Sequence, residues 1–262
     1  MSPSPTSKST QDPQQEHMAF WEHVRELRSC LIKSVFGIVG GFAVAYGFSK
    51  DLFRVLRIPY DQAFEKVFEQ KPFLINTSLL EGFIVYLKVG LLGGLFLACP
   101  ILFYQLWKFI SPALKPSEKK HVVPFVLLAT VFFVVGALFG YFMVFPPSFE
   151  FFLTVTAQEN IQPTIRMDDY YRLASWMLLG FGSAFEAPLI TLYLVYFGII
   201  SPQALIKAWR GVIVGIMIVS AVITPTPDIG TMMMMALPLI GLYGITIVLS
   251  FLFFRKKPTE AP

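Results

Sequence analysis

The sequence predicts an all-α, polytopic integral membrane protein whose six transmembrane helices pack in a bent, cupped arrangement. Three observations carry that prediction. The 262 residues are 55% hydrophobic, 16% aromatic and only 15% charged, with a mean hydropathy of +0.63, whereas a soluble domain carries about a quarter charged residues. Six apolar stretches, 31–48, 83–107, 122–145, 173–197, 211–223 and 232–254, are separated by polar segments, and crossing the hydrocarbon core takes about 20 such residues. Prolines stand within or at the edge of four of them (Pro100, Pro124, Pro188 and Pro238), where they bend helices and free carbonyls.

In chain order, residues 1–15 are rich in Ser, Pro, Thr and Gln, bury no core, and are expected to form a disordered cytoplasmic tail. From Glu16 the pattern changes. Phe20, Val24, Leu27 and Leu31 recur at helical spacing while Glu22, Glu26 and Ser29 occupy another face, so an amphipathic helix leads into the membrane and opens a six-helix domain over 16–254. The first apolar stretch is short, and Ala43-Val44-Ala45 after a basic flank imitates a signal-peptide cleavage site; cleavage would leave five spans with opposed termini, against the charge pattern. The first outer loop carries both signs of charge and a helical string over 61–70, DQAFEKVFEQ, and is expected to be a small folded cap. The fifth stretch has only 13 residues, about 20 Å of helix, and should be a short span. Residues 255–262 are expected to form a cytoplasmic tail.

Lysine and arginine near span ends set orientation. With the amino terminus inside, the inner segments hold 13 of them and the outer segments six, so both termini are expected in the cytoplasm; Lys88 and Arg172, just inside span ends, should snorkel outward. The net charge of +4 is too small and dispersed for a nucleic-acid partner. Cys30 and Cys99 lie in or against apolar stretches and suggest packing, not a disulfide or a metal site. All three histidines (His17, His23, His121) fall outside the spans, and no HExxH, CxxC or Walker string occurs, so no metal, haem or nucleotide cofactor is expected, nor a Ser-His dyad within the bilayer. The run 232–235 (MMMM) and the string 180–183 (GFGS) suit flexible packing and close helix approach respectively.

Candidate chemistry rests on carboxylates. Glu186 lies midway along the fourth span in SAFEAPL; a carboxyl at that depth costs several kcal/mol when charged, so it should face a cavity or partner, or be protonated. A protonated side chain bonded to carbonyls loosened by Pro188 is the purely structural alternative. Asp228, in TPTPDIG at the outer end of the fifth span, either acts there or caps the sixth helix. Glu26 in EHVRELRS and Glu118 in LKPSEKKH are carboxylates among cations near inner span ends. Each alone suits a solvated surface pair; converging, they would suit a bidentate guanidinium, which arginine offers and lysine does not.

Several strings together resemble the TatC family of the twin-arginine protein translocase: HVRELRSCL (23–31), CPILFYQLWKFISPALKPSEKK (99–120), GALFGYFMVFP (136–146), FGSAFEAP (181–188), GIISPQAL (198–205), and TPTPDIG followed by ALPL. The resemblance implies six cupped helices with short fifth and sixth members and recognition of Arg-Arg signal peptides. It also implies assembly with the single-span partners TatA and TatB in an oligomeric complex in the bacterial inner membrane, and export of folded proteins driven by the proton-motive force, without enzymatic turnover. Matched by motif, Glu26 and Glu118 correspond to signal-binding carboxylates, with Arg28 beside the first. Glu186 corresponds to the family's intramembrane glutamate, and Pro59 and Asp228 to positions needed in the outer loops. The chain departs from the pattern at Gly244, where many members carry glutamate, and at Met232, where a glutamine is common; both bear on partner contacts along the last two helices. The rival from another class is a proton-coupled small-solute transporter using Glu186, against which stand the single intramembrane carboxylate, the lack of an internal repeat and the short fifth span.

Overall fold

The computed structural model describes residues 13–110, 122–158, 163–223 and 229–254. Among them the chain is helical: α1 Pro13–Tyr46, α2 Ser49–Phe68, α3 Glu81–Ile110, α4 Val122–Phe139, α5 Phe145–Gln158, α6 Met167–Tyr196, α7 Pro202–Ile223 and α8 Ile229–Phe254, with a π turn at Gly140–Val144 joining α4 to α5. The one extended pairing among the described residues is an isolated parallel bridge between Ile75 and Arg166. Six helices are long and apolar enough to cross a membrane: His23–Tyr46, Glu81–Phe109, Val122–Gln158, Met167–Tyr196, Pro202–Val222 and Met232–Leu252. This is a multi-pass membrane protein, and an even number of crossings returns the chain to the side from which it started.

The first, third and fifth spans differ most in extent from their apolar stretches, the first beginning at His23, eight residues before its apolar run, so that His23 stands at its end and not outside it. The third continues as helix through Pro146 and Pro147 to Gln158, 37 residues in all, or about 55 Å. Its outer end therefore stands clear of the hydrocarbon core and meets α2. The fifth begins at Pro202, well before the apolar run at 211, because the turn before it ends one helix and caps the next: Gly198 takes a left-handed φ of +74° to end α6, and the Ser201 hydroxyl accepts a hydrogen bond from the Ala204 amide at 3.2 Å. Pro202 then fills the first helical position, where no amide is needed. The fifth and sixth spans remain the shortest of the six, at 21 residues each.

Packing is tightest where side chains vanish. Between α1 and α3, a Cβ on Gly94 would lie 2.5 Å from the Phe42 nitrogen and 2.7 Å from its Cα, so only glycine allows the two backbones to cross there. The outer core gathers Phe53, Leu56, Tyr60 and Phe64 of α2, Phe145 and Phe149 of α5, and Tyr170, Met177 and Phe181 of α6. A smaller inner core sets Trp107 against Phe125, Val126, Ala129 and Leu189. The cap expected in the first outer loop is thus α2 itself, an amphipathic helix seated on the outer ends of the bundle.

Candidate functional site

At the inner end, the ring of His23 on α1 stacks on Phe109 on α3, with centroids 4.4 Å apart and planes at 21°. Glu26, one turn further along α1, is half-buried, and Arg28 is exposed. Glu118 lies outside the described residues, in the segment 111–121; Asp228 and residues 1–12 and 255–262 lie outside them as well, whereas residues 13–15, expected in the amino-terminal tail, form the start of α1.

Glu186 sits on α6, 7% exposed. Its Oε1 has no hydrogen-bond partner, and the Cys99 thiol of α3 and the backbone of Phe133 on α4 are within electrostatic reach. It points into the bundle, toward α3 and α4. The neighbouring Ser183, Ala184, Ala187 and Pro188 instead form one wall of a groove of about 1040 Å³, whose other walls come from α7 and α8 through residues such as Val212 and Tyr243. Glu186 is therefore behind the groove wall, not on its surface. The α6 packing that puts it there depends on Gly182, whose Cβ would meet the Phe133 ring at 2.8 Å.

At the outer end a polar tie joins the two outer loops. Glu81, 5% exposed, accepts hydrogen bonds from the Thr77 amide at 2.7 Å and hydroxyl at 2.9 Å and from the Asp168 amide at 3.2 Å, with Arg166 3.5 Å away. Lys88 reaches Asp168 at 2.6 Å, and the Tyr171 hydroxyl donates to the Lys88 carbonyl at 2.7 Å. Lys88 and Arg172, expected to snorkel, both pair with the first turn of α6, the second with Asp169 at 3.2 Å. The tie was not legible from the residues alone. Its one local signal is a carboxylate in the first turn of both α3 and α6, where it complements the helix amino terminus.

Pro59 is buried inside α2, in the middle of the cap. Beside it, burial pushes the Tyr60 phenol up to about 12, with the Asp61 carboxylate adding to the effect. Burial also raises Asp61, opposed by its hydrogen bond from Arg57 at 2.8 Å. Cys30 and Cys99 are free and buried, as packing residues, and Met232 to Met235 range from half-buried to exposed to buried around their turn. No group of three or more His, Cys, Asp or Glu that could hold a metal occurs among the described residues.

The sequence model of the family described as Sec-independent protein translocase protein (TatC) matches residues 22–238. Among proteins of that description, the one from Desulforapulum autotrophicum is 42% identical over 247 residues, covering 94% of this chain and 89% of its own. That from Aquifex aeolicus is 35% identical, covering 92% and 98%. Two crystal structures described as the twin arginine translocase receptor TatC, one of them in DDM, superpose with TM-scores of 0.74 and 0.75 at 35% and 34% identity, covering 88% and 87% of this chain and 98% and 99% of theirs. With identity above 30% sustained over nearly the whole of both chains and the same helices superposing in space, this chain belongs to the TatC family of Sec-independent protein translocase proteins.

Proposed function

We propose that this translocase subunit binds Arg-Arg signal peptides at the cytoplasmic face through Glu26 and Glu118, with Arg28 alongside, and supports export of folded proteins across the bacterial cytoplasmic membrane at the expense of the proton-motive force. It is a receptor and membrane component of a translocase, not an enzyme. The observation that carries the reading is the His23 to Phe109 stack. It fixes the inner ends of α1 and α3 together one turn from Glu26, and Glu118 follows Phe109 by nine residues in the chain. Two carboxylates supplied from those two ends offer a pair of guanidinium groups charge-assisted, two-pronged contacts that ammonium groups cannot match.

The apolar groove between α6, α7 and α8 supports docking of the single-span TatA and TatB helices, since in lipid such association rests on close packing. Gly244 and Met232 lie on α8, which supplies one wall of the groove, though neither residue lines it. Pro59 and Asp228 serve the outer loops, and both termini are cytoplasmic.

The test is peptide affinity for the purified protein in detergent at two salt concentrations. Glu26→Gln and Glu118→Gln should each weaken an Arg-Arg peptide by roughly tenfold, about 1.4 kcal/mol, and shrink its advantage over a Lys-Lys peptide. Two small additive effects with the arginine preference unchanged would mean that the signal is read elsewhere.

A further inference from the structure

Pro59 raises a question that its position in α2 answers. In a helix the amide of residue 59 would donate to the carbonyl of Val55, and proline has no such amide. Val55 lines a cavity of about 590 Å³ whose other walls include Leu52, Leu92, Phe96, Leu138 and Phe142. Among the residues lining it, the Tyr141 hydroxyl is the only polar side-chain group. A water there would have only that hydroxyl and the carbonyl itself to bond, the minimum it needs, and a carbonyl in an apolar wall without a donor is costly.

The donor comes from another helix. The Tyr141 hydroxyl, in the π turn between α4 and α5, donates to the Val55 carbonyl at 2.5 Å. The next carbonyl on the same bend, that of Leu56, accepts from the Tyr170 hydroxyl of α6 at 2.6 Å. The π turn starts at Gly140, where a Cβ would lie 2.7 Å from the Phe181 ring; it re-aims the helix while letting it stay close to α6. Two hydroxyls from two spans thus converge on the carbonyls four and three residues before the proline.

We propose that Tyr141, assisted by Tyr170, is a positioning residue that stands in for the amide hydrogen Pro59 lacks, and that this substitution is what fixes the cap helix α2 on the outer end of the bundle. Proline at 59 creates an acceptor that only the bundle can satisfy, so α2 has one seating instead of a sliding set of them. Tyr141 is then needed because residue 59 is proline.

That dependence gives the test. Amide hydrogen exchange in α2 is measured for the full chain reconstituted in lipid nanodiscs, for the parent, Tyr141→Phe, Pro59→Ala and the double variant. Tyr141→Phe should speed α2 exchange about tenfold when residue 59 is proline. In the Pro59→Ala background, where the amide of residue 59 supplies the missing hydrogen bond, the same substitution should change it less than about twofold. Tyr171→Phe is the control: its hydroxyl serves the Lys88 carbonyl, away from the bend, so its effect should be equal in both backgrounds. If Tyr141→Phe does not accumulate as a single variant, recovery of folded protein in the double variant carries the same conclusion, and failure to recover it overturns the proposal. An equal effect of Tyr141→Phe in both backgrounds, or none in either, also overturns it. Export of a folded Arg-Arg reporter, scored against the parent of each background, should follow the same pattern. The exchange comparison stands by itself if Pro59→Ala alone stops export, because the place of Pro59 in export rests on the reading above.

Discussion

Glu186, on α6, is held against the faces of α3 and α4 with one carboxyl oxygen unpartnered, a costly place for a polar group at bilayer depth. Glu186→Gln retains the shape and a polar head, whereas Glu186→Ala removes both and opens a void. The alanine variant should impair export while leaving Arg-Arg peptide affinity within about twofold, since the side chain lies ten residues, about 15 Å of helix, short of the inner end of α6 and points into the bundle; glutamine should be milder. Reporter export and peptide binding measured on the same variants check this, and wild-type export by Glu186→Ala would leave the residue a packing role alone. Glu81 is a second buried carboxylate with a different duty. Glu81→Ala would strip two amides and a hydroxyl of their acceptor and leave Arg166 uncompensated. The expected loss is about 1–3 kcal/mol, read as a lower Tm of the purified protein in detergent.

Elements meet in this molecule through what their sequences omit. Where α1 crosses α3, Gly41 and Gly94 bring backbone against backbone, and there is no flexible side chain to yield. Gly94→Ala should cost about 1–3 kcal/mol, as overpacking does, and reduce the amount of folded protein recovered from the membrane. Gly40→Ala, one position away on α1, meets nothing within 4 Å and should be recovered like the parent. Equal recovery of the two variants would show that the crossing is looser than the geometry implies. The same economy governs the α6 to α7 turn, where glycine, serine and proline in GIISP end one helix and start the next, so that the cations Lys207 and Arg210 fall on helix, not loop.

For the whole molecule, the proposed topology rests on six helices long and apolar enough to cross a membrane and on the excess of Lys and Arg in the segments read as inner, 13 against six, which would put both ends of the chain in the cytoplasm. Pro5→Cys should accordingly be labelled by a membrane-impermeant thiol reagent only after the cytoplasmic face is opened, and the native Cys30 and Cys99, both buried, leave a low background. Labelling in intact cells would reverse the topology. The cupped shape follows from unequal contact: α7 is held mainly by α8, and α8 by α6, so the groove between α6 and α7 stays open to the bilayer.

The apolar runs, their number and their flanking charges needed no tertiary information, because crossing a membrane is a local property of about 20 residues. The α2 cap was legible in the same way, from the mixed charge and helical spacing of 61–70. So was the burial of Glu186, because an acidic residue alone in a span has few places to go. What remained hidden was every relation between distant residues. That α4 runs on past its apolar run into α5 depends on α2 being there to receive it. That Glu186 turns toward α3 and α4 and not into the groove depends on Gly182 admitting Phe133. That Pro59 is served by Tyr141 joins residues 86 positions from carbonyl to hydroxyl. Hydropathy is summed along the chain, but a hydrogen bond or a close crossing is decided by which surfaces fold against one another, and that is a property of the packed bundle alone.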